Sequence, residues 1–190
     1  MFKYIFIELI IVKIVISGTP GCGKSTISKK LSKLLKIPLI DLKEIIKEYN
    51  LEKKGIVDIK KLGFLAPFLK NKEYILEGHL ACEIKLPTDF VFLLRCEPSI
   101  LKRRLEKRGY SKEKISENLI SEILDYCYQR IKIKYKKEPI EIDTSKRNIN
   151  QTVQLIIKAI KQRKKKIDEV DYSEYLKGSK DGKTNIDLMY

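Results

Sequence analysis

The chain has a single histidine, His79, and no C-x-x-C pair among its four cysteines, Cys22, Cys82, Cys96 and Cys127. A structural zinc site needs clustered Cys and His, so none is expected. Scattered cysteines suit a reducing, cytoplasmic compartment. No apolar run reaches the ~20 residues of a membrane span. The nearest, residues 4–12, is broken by Glu8 and ended by Lys13. It does not read as a signal peptide either, because cleavage near Ser17 would destroy the motif that follows. Residues 1–12 are therefore an N-terminal apolar extension: an added strand or short helix beside the first core strand, or residues the fold does not need. No membrane partner is expected, and there is no internal repeat. Acidic residues are in deficit. Lys and Arg number 40 against 25 Asp and Glu, a net charge of +15 in 190 residues. That excess suits polyanions such as nucleotide phosphates, RNA or a ribosomal surface, and it suits a solubilising lysine surface equally well. The length allows one domain and a tail.

What is present is the spacing G-x-x-x-x-G-K-[ST], as Gly18-Thr19-Pro20-Gly21-Cys22-Gly23-Lys24-Ser25. Its glycines let the chain curl so that N–H groups point at an anion. Lys24 then reaches the β- and γ-phosphates, the Ser25 hydroxyl ligates Mg²⁺, and a helix opening at about Lys24 adds its dipole. The flanks are those a P-loop needs: residues 13–17 read as a buried strand, and residues 26–35 as a helix with Ile27, Leu31, Leu34 and Leu35 on one face. Cys22 has two readings. The field of the loop lowers its pKa, or it is a small loop filler.

Downstream, strands and helices alternate. Strands are expected at residues 37–40, 73–76, 89–94 and 139–142. Helices are expected at 42–49, weakly at 59–69, from 98 or 99 to 107, at 112–136, and from an Asn150 cap to 162. Residues 50–58 read as a polar turn. The 112–136 helix rests on Ile115, Leu119, Ile123, Cys127 and Ile131 at four-residue spacing. The alternation predicts an α/β fold, a parallel sheet with helices on both faces and its site at the carboxyl ends of the strands. Asp41, Glu77 and Asp143 end three of those strands. From residue 163 a basic run passes into an acidic, then Gly-containing stretch, expected to be a flexible tail over 163–190.

Glu77 closes an apolar strand and is the candidate carboxylate beneath a Mg²⁺ shell, holding a metal-bound water. The alternative is an ordinary exposed strand-end acid. His79 lies two residues on. It is either a packing residue or a catalytic or γ-phosphate-sensing one. Arg104 and Arg108, four apart near a helix end, share a face and are candidates for stabilising a transferring phosphoryl group; otherwise they are solvated surface arginines.

Three stretches together carry a resemblance: the P-loop with Thr26, the Glu77-Gly78-His79 triplet, and the run from Arg104-Leu105 through Arg108-Gly109-Tyr110-Ser111 to Ile115 and Asn118. Over roughly residues 13–161 the chain resembles adenylate kinase isoenzyme 6, a small adenylate kinase and ATPase family of small ribosomal subunit maturation. The resemblance implies a P-loop NTPase domain of nucleoside-monophosphate-kinase type at 13–162, with a five-stranded parallel sheet. It implies a monophosphate-binding segment at about 40–63 and a lid at about 108–118. ATP and Mg²⁺ are the implied cofactors, and AMP is the second substrate. Gly21, Cys22, Gly23, Lys24, Ser25, Thr26 and Arg108 would bind nucleotide. Lys24, Glu77, His79, Arg104 and Arg108 would be catalytic, with Ser25 and, through water, Glu77 on the metal. Ribosomal protein uS11 on the pre-ribosomal small subunit is the implied partner. Two features depart from the family pattern. Glu77 stands where Asp is common, and no arginine precedes Arg95. Only Lys43, Lys47, Lys53 and Lys54 remain to hold an acceptor phosphate, and lysine lacks the bidentate fork. The expected activity is ATP + AMP to two ADP with ATP hydrolysis. The alternatives are an assembly ATPase with incidental kinase turnover, or a monophosphate kinase of other base specificity.

Overall fold

The computed structural model describes residues 12–177. The expected extension at 1–12, Val12 apart, lies outside the described residues, as does 178–190. Five parallel strands form the central sheet: β1 (Lys13–Ser17), β2 (Leu39–Asp41), β5 (Tyr74–Glu77), β6 (Phe90–Arg95) and β7 (Ile140–Asp143). Their order is β2-β5-β1-β6-β7, which puts β1 in the middle. Period-two alternation explains the apolar runs. Ile14 and Ile16 point to one face of β1 and Val15 to the other, and both faces are covered.

On the first face pack α1 (Lys24–Leu35), α4 (Pro98–Glu106), α5 (Lys112–Ile123) and α7 (Ile149–Lys161), through Ile27, Leu31, Leu101, Leu105, Leu119, Val153 and Ile156. The other face takes α2 (Leu42–Glu48), α3 (Leu65–Leu69) and α6 (Tyr126–Tyr135), through Leu42, Ile46, Leu65, Leu69 and Ile131. The strands β1, β2, β5 and β6 thus contribute apolar surface to two cores, whereas β7 gives Ile140 and Ile142 to the first alone. This is the expected α/β fold. Among the described residues no helix is long and apolar enough to cross a membrane.

Four expectations need correction. The helix predicted over 112–136 is two helices, broken at Leu124 and Asp125, where Asp125 has φ 55. Apolar periodicity runs through the break because both halves bury their fourth residues. The break itself is held from elsewhere. Arg95 of β6 donates to the Glu122 carbonyl at 3.0 Å and to the Asp125 carboxylate at 2.5 Å. Secondly, α7 is capped by Asn148, not Asn150. Asn148 and Gln151 form a reciprocal capping box, while the Asn150 side chain accepts from Lys30. Thirdly, the polar turn at 50–58 contains a hairpin, β3 (Glu52–Lys53) and β4 (Ile56–Val57), closed by Lys54 and Gly55 at positive φ. Two-residue strands leave no alternation to read. The weak helix after it opens as a 3₁₀ stretch, Ile59–Phe64.

Finally, the tail expected to be flexible from 163 is packed on the domain as far as it is described. Ile167 lies against the first core, and Asp168 accepts from Arg147 and from the Asp143 amide. The ring of Tyr172 lies 5.2 Å from the Arg95 guanidinium. A buried cation supplies the docking point that composition alone cannot reveal.

Candidate active site

The phosphate loop spans the end of β1 and the start of α1. At Gly18, φ is 142, and a Cβ there would stand 2.3 Å from the Leu94 carbonyl oxygen of β6. Glycine is therefore required by close backbone approach as well as by conformation. Gly23 is the N-cap of α1 with φ 93. No side chain caps that helix, and its first turn carries no acid. The positive end of its dipole consequently faces the loop without a neutralising group. Lys24 Nζ donates to the carbonyls of Gly18 (2.8 Å) and Thr19 (3.1 Å), so the ammonium sits over the loop.

A cleft of about 670 Å³ opens above it. Of the residues singled out in the sequence, Gly21, Gly23, Lys24, Ser25, Thr26, Glu77, His79 and Arg108 line this cleft; Cys22 and Arg104 do not. Cys22 is fully buried, its side chain in the first core. Burial pushes its thiol well above the usual range, with Glu122 adding to the rise and Lys24 opposing it. This corrects the reading in which the loop field lowers it: the thiol is a core filler, and only the backbone of Cys22 belongs to the loop. Arg104 lies behind the loop. Its Nη2 donates to the Thr144 carbonyl (2.8 Å) and its Nη1 to the Thr144 hydroxyl (3.2 Å), with Gly21 O at 3.5 Å. The four-residue spacing to Arg108 does not place both on one face, because α4 ends at Glu106 and the chain turns before Arg108.

Register places Asp41 directly beside Glu77 at the ends of β2 and β5. Glu77 is 3% exposed, so it is not an ordinary surface acid. Burial raises its pKa, a hydrogen bond with Ser25 pulls against that, and the Asp41 charge raises it further. Asp41 also caps α2 by accepting from the Lys43 amide at 2.9 Å. Ser25, Glu77 and Asp41 are thus an all-oxygen, carboxylate-rich set on the cleft. No cluster of three or more His, Cys, Asp or Glu positioned for a metal occurs among the described residues. A hydroxyl and carboxylates that cannot cage an ion alone fit Mg²⁺, which keeps waters and shares phosphate oxygens.

His79 serves packing and cleft together. Its Nδ1 is 3.3 Å from Gly18 O and 3.7 Å from Cys127 Sγ, and its carbonyl accepts from the Ser17 hydroxyl (3.1 Å). Asp143, by contrast, lies away from the cleft, in a turn with Ser145 and Arg147. Of the four lysines expected to hold an acceptor phosphate, Lys43 and Lys47, one turn apart on α2, line the cleft, together with Tyr110 and with Asn50 and Glu52, which belong to no motif. Lys53 and Lys54 do not line it. Asn50 and Glu52 lie inside the segment expected at 40–63, but nothing in their local sequence marks them.

Beneath the loop, Arg95 (2% exposed) donates to Glu122 (2.8 Å), Glu141 (2.7 Å) and Asp125. Glu122 in turn accepts from the Thr19 hydroxyl. No spacing in the sequence links these residues.

The AAA domain family matches residues 14–125. The "Putative adenylate kinase" of Methanocaldococcus jannaschii is 42% identical over 171 residues, covering 85% of this chain and 93% of that protein. Its namesake from Pyrococcus abyssi is 36% identical, covering 85% and 91%. Among solved structures, shikimate kinase from Acinetobacter baumannii in complex with shikimate superposes with TM-score 0.61 at 18% identity, covering 81% of this chain and 95% of that one. Deoxyadenosine kinase from M. mycoides with bound dATP gives 0.52 at 19%, covering 79% and 99%. These structural likenesses concern the fold. Phosphate loop, sheet order and identity along most of its length together make this chain a member of the adenylate kinase-like family to which those archaeal proteins belong.

Proposed function

We propose that the protein is a Mg²⁺-dependent, cytoplasmic adenylate kinase that passes the γ-phosphoryl group of ATP to AMP. One observation carries this reading: a single cleft is lined both by the phosphate loop and by the paired lysines of α2. Phosphoryl transfer needs little covalent help from a protein. It needs donor and acceptor held in line and the equatorial charge stabilised. Lys24 and the N–H groups around Gly21 and Gly23 would hold the β- and γ-phosphates. Arg108, which also lines the cleft, would stabilise charge on the moving group. Lys43 and Lys47 would hold the acceptor phosphate as two point charges in place of an arginine fork. Ser25, and Glu77 through water, with Asp41 beside it, would hold Mg²⁺, which neutralises charge on the donor phosphates when bound. Arg104 would act from behind, keeping the Gly21 turn against Thr144.

The family resemblance supports a second activity. His79, against Gly18 and on the cleft, would position water for ATP hydrolysis in the maturation of the small ribosomal subunit, with uS11 as partner. The test is a coupled assay with ATP alone, with ATP plus AMP, and with ATP plus CMP or UMP, each with and without Mg²⁺. Mg²⁺-dependent ADP formation that AMP strongly accelerates supports the kinase, and slower turnover with ATP alone supports the second activity. Turnover with ATP alone that AMP does not accelerate refutes the kinase in favour of the hydrolase.

A further inference from the structure

Glu122 lies outside the cleft and touches nothing that would react. It is nevertheless 2% exposed and ionisable, and its two carboxylate oxygens serve different neighbours. Oε1 accepts from Arg95 Nε at 2.8 Å and from the Cys96 amide at 3.0 Å, at the end of β6. Oε2 accepts from the hydroxyl of Thr19, the second residue of the phosphate loop. Thr19 is itself buried, and its side chain is not part of the cleft wall. Its carbonyl, however, accepts from the Lys24 ammonium at 3.1 Å and from the Cys22 amide at 3.2 Å. A short chain of contacts therefore runs from the last turn of α5, through Glu122 and Thr19, to the cation of the loop. The opposite end of α5 follows Arg108 and Tyr110, both on the cleft.

A flexible Gly-rich loop has many curled conformations, and only those with Thr19 correctly turned present its carbonyl to Lys24. A hydrogen bond to a buried, charged acceptor is the strong kind, and it fixes the Thr19 rotamer and with it the local backbone. We infer that Glu122 is a positioning residue for triphosphate binding: through Thr19 it holds the phosphate loop, and hence Lys24, in the shape that receives the β- and γ-phosphates. This rests on the loop binding ATP, as in the reading above, but not on AMP being the acceptor.

The experiment measures ATP affinity by titration calorimetry, together with KM for ATP and for AMP, on Thr19→Val, Thr19→Ser and wild type. Valine keeps the shape of threonine and deletes only the hydroxyl; serine keeps the hydroxyl. Thr19→Val should bind ATP about tenfold more weakly, as expected for one charge-assisted bond, with KM for AMP unchanged. Thr19→Ser should restore ATP affinity. If valine against the carboxylate prevents folding, Thr19→Ala leaves room for water to hydrate Glu122 and gives the same comparison. A folded Thr19→Val or Thr19→Ala protein that melts lower yet binds ATP as wild type does would overturn the inference, since a merely structural bond alters stability alone. Wild-type protein that binds ATP but does not phosphorylate AMP would refute the kinase reading and leave this one standing.

Discussion

Replacing Arg95 with methionine should cost about 3–5 kcal/mol of stability at neutral pH, the scale for removing one partner of a buried ionic cluster. The structure gives the reason. Four N–H groups of Arg95 are committed: to Glu122 Oε1 at 2.8 Å, Glu141 Oε1 at 2.7 Å, Asp125 Oδ1 at 2.5 Å and the Glu122 carbonyl at 3.0 Å. Methionine fills most of the volume but leaves two buried glutamates facing each other with no cation. For Glu141 the remaining escape is to bind a proton. Already in the wild type, burial raises the Glu141 pKa while Arg95 lowers it, so loss of the arginine raises it further. A carboxyl whose folded pKa exceeds its unfolded value stabilises the fold below the unfolded pKa, and that contribution is lost as pH rises through the folded one. The variant should accordingly approach wild type near pH 4.5 and fall behind it steadily towards pH 8. Urea unfolding followed by far-UV circular dichroism at pH 4.5, 6 and 8 reads the difference directly. Lys166→Ala, at the exposed pair with Glu169, is the control and should leave the curves unmoved. A deficit below about 1 kcal/mol at pH 8, or one of equal size at all three values, would refute the view that Arg95 neutralises a buried acidic cluster.

Three further outcomes are expected. Glu77→Gln should raise the melting temperature at pH 7 without Mg²⁺, since burial makes the ionised carboxylate unfavourable, and the gain should vanish near pH 4; the same variant should lose about 100-fold in kcat with Mg²⁺ present, and unchanged kcat would remove Glu77 from the site. His79→Ala should lower ATP hydrolysis about 10-fold and transfer to AMP less, measured side by side in the coupled assay; equal losses would make His79 a shared structural part of the loop. Gly18→Ala should give little soluble protein or a loss of about 3 kcal/mol or more, because its Cβ would meet backbone of β6 that cannot move aside; a wild-type urea midpoint would contradict the close approach.

Much of this protein is decided by short stretches of its sequence. A strand, a loop of fixed glycine spacing and a helix are local objects, so β1, the phosphate loop and α1 were legible from residues 13–35, and Glu77 and His79 from the end of one apolar run. Alternation of strand and helix determined the parallel sheet, because a parallel crossover needs an intervening helix. Tertiary structure alone decided what depends on residues far apart. It set the strand order with β1 central. It put Lys43 and Lys47 on the cleft, sent Arg104 and Asp143 away from it, and turned Cys22 into the core. Arg95 illustrates the cause. From β6 it breaks one apparent helix into α5 and α6, gathers carboxylates from three other places in the chain, and anchors Tyr172 of the tail. Helical periodicity passes straight through the break because the apolar spacing never lapses. A buried charge must find partners wherever the fold brings them, and no local pattern records that requirement.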